Sequence, residues 1–192
     1  MKNPYIFGYL PFVTIVLFSL NFSVYFVSFT IQQFNEIGLY HAIVEFFSDF
    51  QVRILLLIVF TVLFFMIFAA LKLIAETIHE TALLFFAQSF DPKEYRQMKS
   101  GSLIYFSFAI GSVFFIQSLI GLVILFGIAT FIYFIYIIFQ TSRHLSVSHT
   151  ILIIVFEVTV WLAILFIVAY AGLKLYNGIL DSISMTLKEA ER

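Results

Sequence analysis

The chain has no cysteine, only three prolines and few charged residues, which make up 11% of its 192 residues. The lack of cysteine excludes thiolate catalysis, iron–sulfur clusters and zinc sites with cysteine ligands. A soluble domain carries about a quarter of its residues as charge, because water must solvate its surface. The scarcity of charge therefore excludes a soluble domain and a nucleic-acid binder with a basic surface.

Hydrophobic residues make up 62% of the chain, and 27 of the residues are phenylalanine. They form four runs that are long enough to cross a hydrocarbon layer of about 30 Å as helices. The runs are continuous, whereas strands of a membrane barrel alternate between apolar and polar residues. The sequence predicts an all-α polytopic membrane protein in contact with the lipid bilayer, with one transmembrane domain over 1–192. Its four transmembrane helices are predicted at about 5–31, 54–71, 103–139 and 151–173.

Two of the spans are predicted to continue as helices beyond the membrane, which gives the protein cytoplasmic helix extensions. After Leu71, apolar residues recur at helical spacing as far as Phe85, while His79 lies on the opposite, polar face. This helix is predicted to end at about residue 90, and the fourth span continues into a helical tail. Between the first two spans, residues 32–53 predict a short amphipathic outer helix.

The positions of the basic residues predict the orientation of the chain. With four alternating spans, eight of the ten lysines and arginines lie on the side of the chain termini, and only Arg53 and Arg143 lie on the other. The positive-inside rule then places both termini in the cytoplasm. The third run has 37 residues and would measure roughly 55 Å as one helix, which is longer than a span. A tight hairpin about Gly121 would give five spans and a weaker split of six bases against four, so we predict four spans.

A weak internal similarity links the second and fourth spans. Residues 57–62 resemble residues 153–158, and Leu-Lys-Leu occurs at both 71–73 and 173–175. The similarity is explained either by a duplicated helical hairpin, with halves related about the membrane normal, or by chance between two apolar helices.

Several short stretches of the chain are distinctive: residues 1–5 with Gly8-Tyr9, 46–49, 70–77, 83–86, 132–136 and 173–177. Together they resemble the YufK-like family of small bacterial membrane proteins over nearly the whole chain. The resemblance implies a bacterial plasma-membrane protein with four spans. It implies no activity, cofactor or functional residue.

Glu157 is the acidic residue that lies well inside a predicted span. An ionised carboxylate there costs several kcal/mol unless it is paired, hydrated or protonated. The other three spans place Asn21, Thr61 and Thr130 in the same predicted outer half. The four residues are therefore predicted to form an intramembrane polar cluster, which serves either as a site for a cation or proton or as hydrogen-bonded packing.

The remaining polar residues point to binding rather than chemistry. A basic cytoplasmic surface is predicted to reflect the orientation rule or to bind anionic lipid head groups or an acidic partner. Catalytic and nucleotide-binding motifs are missing, so the sequence predicts no enzyme, metal or cofactor. The predicted role is a structural or accessory subunit that binds another membrane protein or a second copy; the alternative is a small transporter or channel for a cation, proton or small solute that uses Glu157. The basic surface consists of Lys72, Lys93, Arg96, Lys99, Lys174 and Lys188.

Overall fold

The computed structural model describes residues 6–87 and 101–190, with side chains for 9–87, 101–180 and 182. In these ranges the chain forms six α-helices and one 3-10 helix. Four of the helices are long and apolar enough to cross a membrane, which confirms the predicted all-α polytopic fold. The helices are α1 (Ile6–Glu36), α2 (Leu39–Phe46), α3 (Asp49–Phe86), α4 (Ser102–Gly111), the 3-10 helix (Ser112–Phe115), α5 (Leu119–Ser142) and α6 (Val147–Ala190).

Local sequence signals fix the segment between α1 and α3. Gly38 has a φ of 73°, a left-handed conformation that favours glycine, and it separates α1 from α2. Ser48 caps α3 through a capping box, in which its hydroxyl accepts from the Gln51 amide and the Gln51 side chain accepts from the Ser48 amide. The structure thus forms the predicted short helix between the first two spans as α2, and its outer position stays a prediction.

Helices α1 and α3 form an antiparallel pair held by phenylalanine rings. We call the end of this pair that holds α2 and the start of α3 the Arg53 end, and the opposite end the Phe86 end. The ring pairs, with centroid distances of 6.0, 5.4 and 5.7 Å, are Phe18 with Phe68, Phe22 with Phe64 and Phe26 with Phe60. Successive residues of α1 thus contact successively earlier residues of α3, so the two helices run in opposite directions and α1 begins at the Phe86 end.

The predicted third span, 103–139, is broken and folds back on itself. Ser118 caps the start of α5 by accepting from the Gly121 amide at 3.1 Å. The Tyr105 hydroxyl donates to Thr130 Oγ1 at 3.0 Å, and the Tyr105 ring lies 4.9 Å from that of Tyr133. Helix α4 therefore runs antiparallel to α5. The candidate span in this part of the chain is α5, rather than the whole of 103–139, because α4 with the 3-10 helix is only about 23 Å long.

Helix α5 runs in the same direction as α3, since the Phe126 ring lies 5.0 Å from that of Phe68 and Ile138 packs near Ala82. After the turn at 143–146, α6 runs back antiparallel to both. The start of α1 and the far end of α6 consequently lie at opposite ends of the assembly, and Arg143 lies at the Phe86 end. This arrangement differs from the four alternating spans on which the charge count was based, because that count overlooked the return through α4; the side of the membrane on which each chain end lies stays a prediction.

The opposite directions of α3 and α6 also bear on the internal similarity between the second and fourth spans. Halves related about the membrane normal would require these two helices to run the same way. The structure therefore contradicts a duplicated hairpin of that symmetry.

Two apolar cores hold the helices together. The first lies midway along α1, α3, α4 and α5 and contains Phe18, Phe22, Phe68, Ala109 and Leu122. The second lies at the Phe86 end, where α3, α5 and the first third of α6 meet around Ala82, Leu83 and Ile153.

Candidate functional site

A buried acid and a buried imidazole meet where α3 and α6 cross. Glu157 Oε1 lies 2.6 Å from His79 Nδ1. The side chains of His79 and Glu157 are 12% and 6% exposed. A carboxylate and an imidazole at this distance share a charge-assisted hydrogen bond, which partly offsets the penalty of removing both groups from water.

Helical spacing brings the two side chains together. Glu157 is one turn after Ile153, and His79 is three and four residues before Ala82 and Leu83, which pack around Ile153. Helical spacing in the sequence predicts Phe85 on the packed face of α3, whereas Phe85 is 68% exposed and Leu83 is buried. The packed face is thus rotated toward Leu83, and this rotation carries His79 into the interface.

The pair retains unused hydrogen-bonding capacity. His79 Nε2 is buried without a hydrogen-bond partner among the described residues, and the same holds for Thr61 Oγ1 and Thr141 Oγ1. An imidazole beside a carboxylate can accept, hold and release a proton. Within 6–87 and 101–190, no three acidic or histidine side chains gather to hold a metal ion.

The structure does not bring Glu157 together with Asn21, Thr61 and Thr130. Asn21 lies near the middle of α1 and donates through Nδ2 to Ser112 Oγ at 2.6 Å. Thr130 instead accepts from Tyr105 on the other side of the α4–α5 hairpin. The predicted cluster is therefore divided among separate levels, and Glu157 lies with His79 toward the Phe86 end rather than in the predicted outer half.

The Asn21 contact stabilises the place where α4 tightens into the 3-10 helix. Ser112 donates its hydroxyl to the Ala109 carbonyl at 2.7 Å while it accepts from Asn21. Ser112 is fully buried. The bond satisfies polar groups where regular helix geometry is lost, which a membrane interior requires. The spacing of α4 residues alone did not indicate Ser112 as a partner.

The predicted basic surface is divided as well. Lys72 Nζ donates to Glu76 Oε1 at 2.6 Å, so its charge is paired. Lys174 is exposed and lies 17 residues beyond Glu157, roughly 25 Å farther along α6. Lys93, Arg96 and Lys99 lie outside the described residues, as does the side chain of Lys188.

A further polar cluster fixes α2 to α3 at the Arg53 end. Asp49 accepts from the Arg53 Nε at 2.9 Å and from the Tyr40 hydroxyl. The hydrogen bond to Asp49 raises the pKa of Tyr40 above its ordinary value. Asp49 and Arg53 are exposed and Tyr40 is half-buried, so this cluster stabilises the segment between α1 and α3 rather than forming a site.

Comparison with known proteins agrees with the resemblance seen in the sequence. Residues 27–184 match a family described as a family of unknown function (DUF5366). The chain is also 33% identical over 183 residues to the "Uncharacterized membrane protein YufK" of Bacillus subtilis (strain 168), a match that covers 95% of this chain and 99% of that protein. No solved structure matches the chain. The resemblance to YufK-like proteins is confirmed, and the chain is a multi-pass helical membrane protein.

Proposed function

The chain belongs to the DUF5366 family of unknown function, and we propose that it is a non-enzymatic accessory subunit that packs against another integral membrane protein through α6. One observation carries this proposal. Every residue from Leu165 to Leu180 is exposed, on all sides of the helix. These residues follow the part of α6 that packs on α3 and α5, and the rest of the described chain, 9–87 and 101–164, leaves them uncovered.

The chemistry of this free segment suits a helix partner. Helices associate in membranes by close packing, and small residues let their backbones approach. A surface depression on α6 is lined by Ala171, Lys174, Leu175, Gly178, Ile179 and Ser182. A side chain at Gly178 would meet no atom within 4 Å. The depression thus offers room for an apolar side chain of another helix.

The separation of the polar groups supports an accessory role over transport. A transport route requires polar groups that succeed one another through the bilayer. Here Glu157 is bonded to His79, and Asn21 is bonded to Ser112 at a different level. Both Glu157 and Asn21 are buried, at 4% and 6% exposure.

We propose further that the protein lies in a bacterial plasma membrane with its Phe86 end in the cytoplasm. If bases outside the described residues are counted with their neighbours along the chain, six of ten belong to the Phe86 end. The positive-inside rule then favours a cytoplasmic amino terminus, and the same bases would attract anionic lipid head groups. The six are Lys2, Lys72, Lys93, Arg96, Lys99 and Arg143.

Site-specific photocrosslinking tests the accessory role. A photoreactive phenylalanine analogue replaces Phe166, which is 74% exposed, or Leu175, which is 69% exposed. The matched control replaces Phe156, which packs against the core at the Phe86 end. At native expression, we expect both α6 positions to give one discrete adduct with the same second membrane protein, and the control to give none.

Two outcomes would contradict the accessory role. One is the absence of any protein adduct at both α6 positions while the protein remains folded. The other is an adduct of twice the chain mass at both positions, which would show a self-assembly in place of a subunit of another protein.

A further inference from the structure

We propose that the α3–α6 interface is a binding site for a single proton, held between His79 and Glu157, and that α6 closes onto α3 only while this proton is bound. The pair lies 2.6 Å apart and is almost fully buried between two helices. Nothing in it depends on the presence of a partner protein.

The proton count follows from charge balance. With one proton between them, the two groups are either an imidazolium with a carboxylate or a neutral imidazole with a carboxylic acid, and both arrangements have zero net charge. Removal of the proton leaves an uncompensated buried carboxylate. Addition of a second proton leaves a buried imidazolium facing a carboxylic acid that no longer bears charge. Each of these states leaves an uncompensated charge in a buried interface, which is strongly unfavourable.

The neighbouring elements carry further titratable groups. On α3, Glu76 is paired with Lys72, and Glu80, which follows His79 in the sequence, makes a further interaction. On α5, Tyr136 makes a further interaction, as does His144 in the turn before α6. On α6, the ring of His149 is 2.6 Å from the Ser146 hydroxyl, two turns before Glu157. His79 and Glu157 are in direct contact with each other, and the proton is therefore assigned to these two groups.

The charge balance of the His79–Glu157 pair also determines how the ratio of closed to detached protein changes with pH. When α6 is detached, both side chains are hydrated, and an imidazole in water changes its charge between pH 5 and pH 8. At pH 8 the detached form holds a neutral imidazole and a carboxylate, so closure takes up one proton. The ratio of closed to detached protein then falls by up to tenfold per pH unit as the pH rises. At low pH the detached form holds two protons, so closure releases one and the ratio falls again.

The turn at 143–146 is the natural pivot for this motion. Only the first third of α6 packs on the core, around Ile153, and the residues from Leu165 to Leu180 are free. Loss of the hydrogen bond between His79 and Glu157 would therefore weaken the short contact by which α6 is held on α3. Detachment would change the position of Phe166 relative to α3 far more than the structure of α6 itself.

Distance measurements between spin labels test the proposal on the full chain. Because the protein has no cysteine, Leu73→Cys with Phe166→Cys gives two labelling sites, and both residues are exposed. In lipid nanodiscs, we expect one short distance near pH 6. A longer, broader population should grow toward pH 8.5, by up to tenfold per pH unit.

Two variants separate the proton site from general pH effects. In the double variant His79→Gln with Glu157→Gln, an amide pair retains a hydrogen bond but no titratable proton, so the distances should not depend on pH. Glu76→Gln leaves the pair intact and should retain the pH dependence. A wild-type distance distribution that is constant from pH 5.5 to 8.5 would overturn the proposal, even if the double variant fails to fold. Persistence of the full pH dependence in a folded double variant would also overturn it.

Discussion

Gly121 offers a direct test of the α4–α5 hairpin, the feature on which the direction of every later helix depends. It lies in the first turn of α5, where the 3-10 helix folds back against it. A Cβ atom at this position would lie 2.7 Å from Phe115 Cδ1 and 3.3 Å from Phe115 Cβ. Carbon atoms pack best at about 3.5–4.0 Å, so the ring has to move. Rotation of the Phe115 ring does not relieve the contact with its Cβ.

The magnitude follows from two opposing effects. Overpacking of this kind costs about 1–3 kcal/mol, whereas replacement of a helical glycine by alanine gains about 1 kcal/mol. We expect Gly121→Ala to lower the free energy of unfolding by up to about 2 kcal/mol. Gly127 lies on the same helix, and a Cβ atom added there would have no atom within 4 Å. Gly127→Ala should therefore raise the free energy of unfolding by up to about 1 kcal/mol.

Reversible unfolding in mixed detergent micelles measures both variants. A second substitution, Phe115→Ala, should remove the cost of Gly121→Ala, because it removes the ring that the new methyl group meets. The coupling free energy of this double-mutant cycle isolates the contact. Equal stabilisation by Gly121→Ala and Gly127→Ala, with no coupling to Phe115, would refute the fold-back of α4 onto α5.

Three further predictions follow from the helix directions and polar contacts. Single cysteines at Arg53 and Leu180 should react with an impermeant maleimide from the same membrane face, and a cysteine at Arg143 from the other; labelling of all three from one face would contradict the direction of α6. Asn21→Leu should lower the unfolding free energy by about 0.6–2 kcal/mol through loss of the bond to Ser112. Ser28→Ala, whose hydroxyl donates only to Val24 of its own helix, should change it by less than about 0.5 kcal/mol, and equal losses would argue against the interhelical bond. Ser48→Ala should speed hydrogen exchange of the first-turn amides of α3 and cost about 0.5–2 kcal/mol, while unchanged exchange would show that the capping box is dispensable.

Part of the candidate site could be predicted from the sequence. Glu157 is conspicuous because an acid inside an apolar run is costly wherever the helix packs. Its partner was not predictable in the same way, since His79 lies in a polar stretch of α3 where many orientations are compatible with the composition. A shift of the packed face from Phe85 to Leu83 decided which side His79 occupies. Such a rotation depends on the neighbouring helices and leaves no mark in the spacing of one helix.

The sequence by itself determined that this protein is helical and embedded in a membrane. Long apolar runs leave backbone amides no partner except their own helix, and that constraint acts locally. Tertiary structure alone decided the directions of α5 and α6, the separation of Asn21 from Glu157 and the pairing of Glu157 with His79. These features follow from α4, which is too short to be recognised as a span in the sequence. Because the chain returns along the assembly through α4, the directions of α5 and α6 are reversed. Packing between helices fixes that return, and neither hydropathy nor charge counting measures packing.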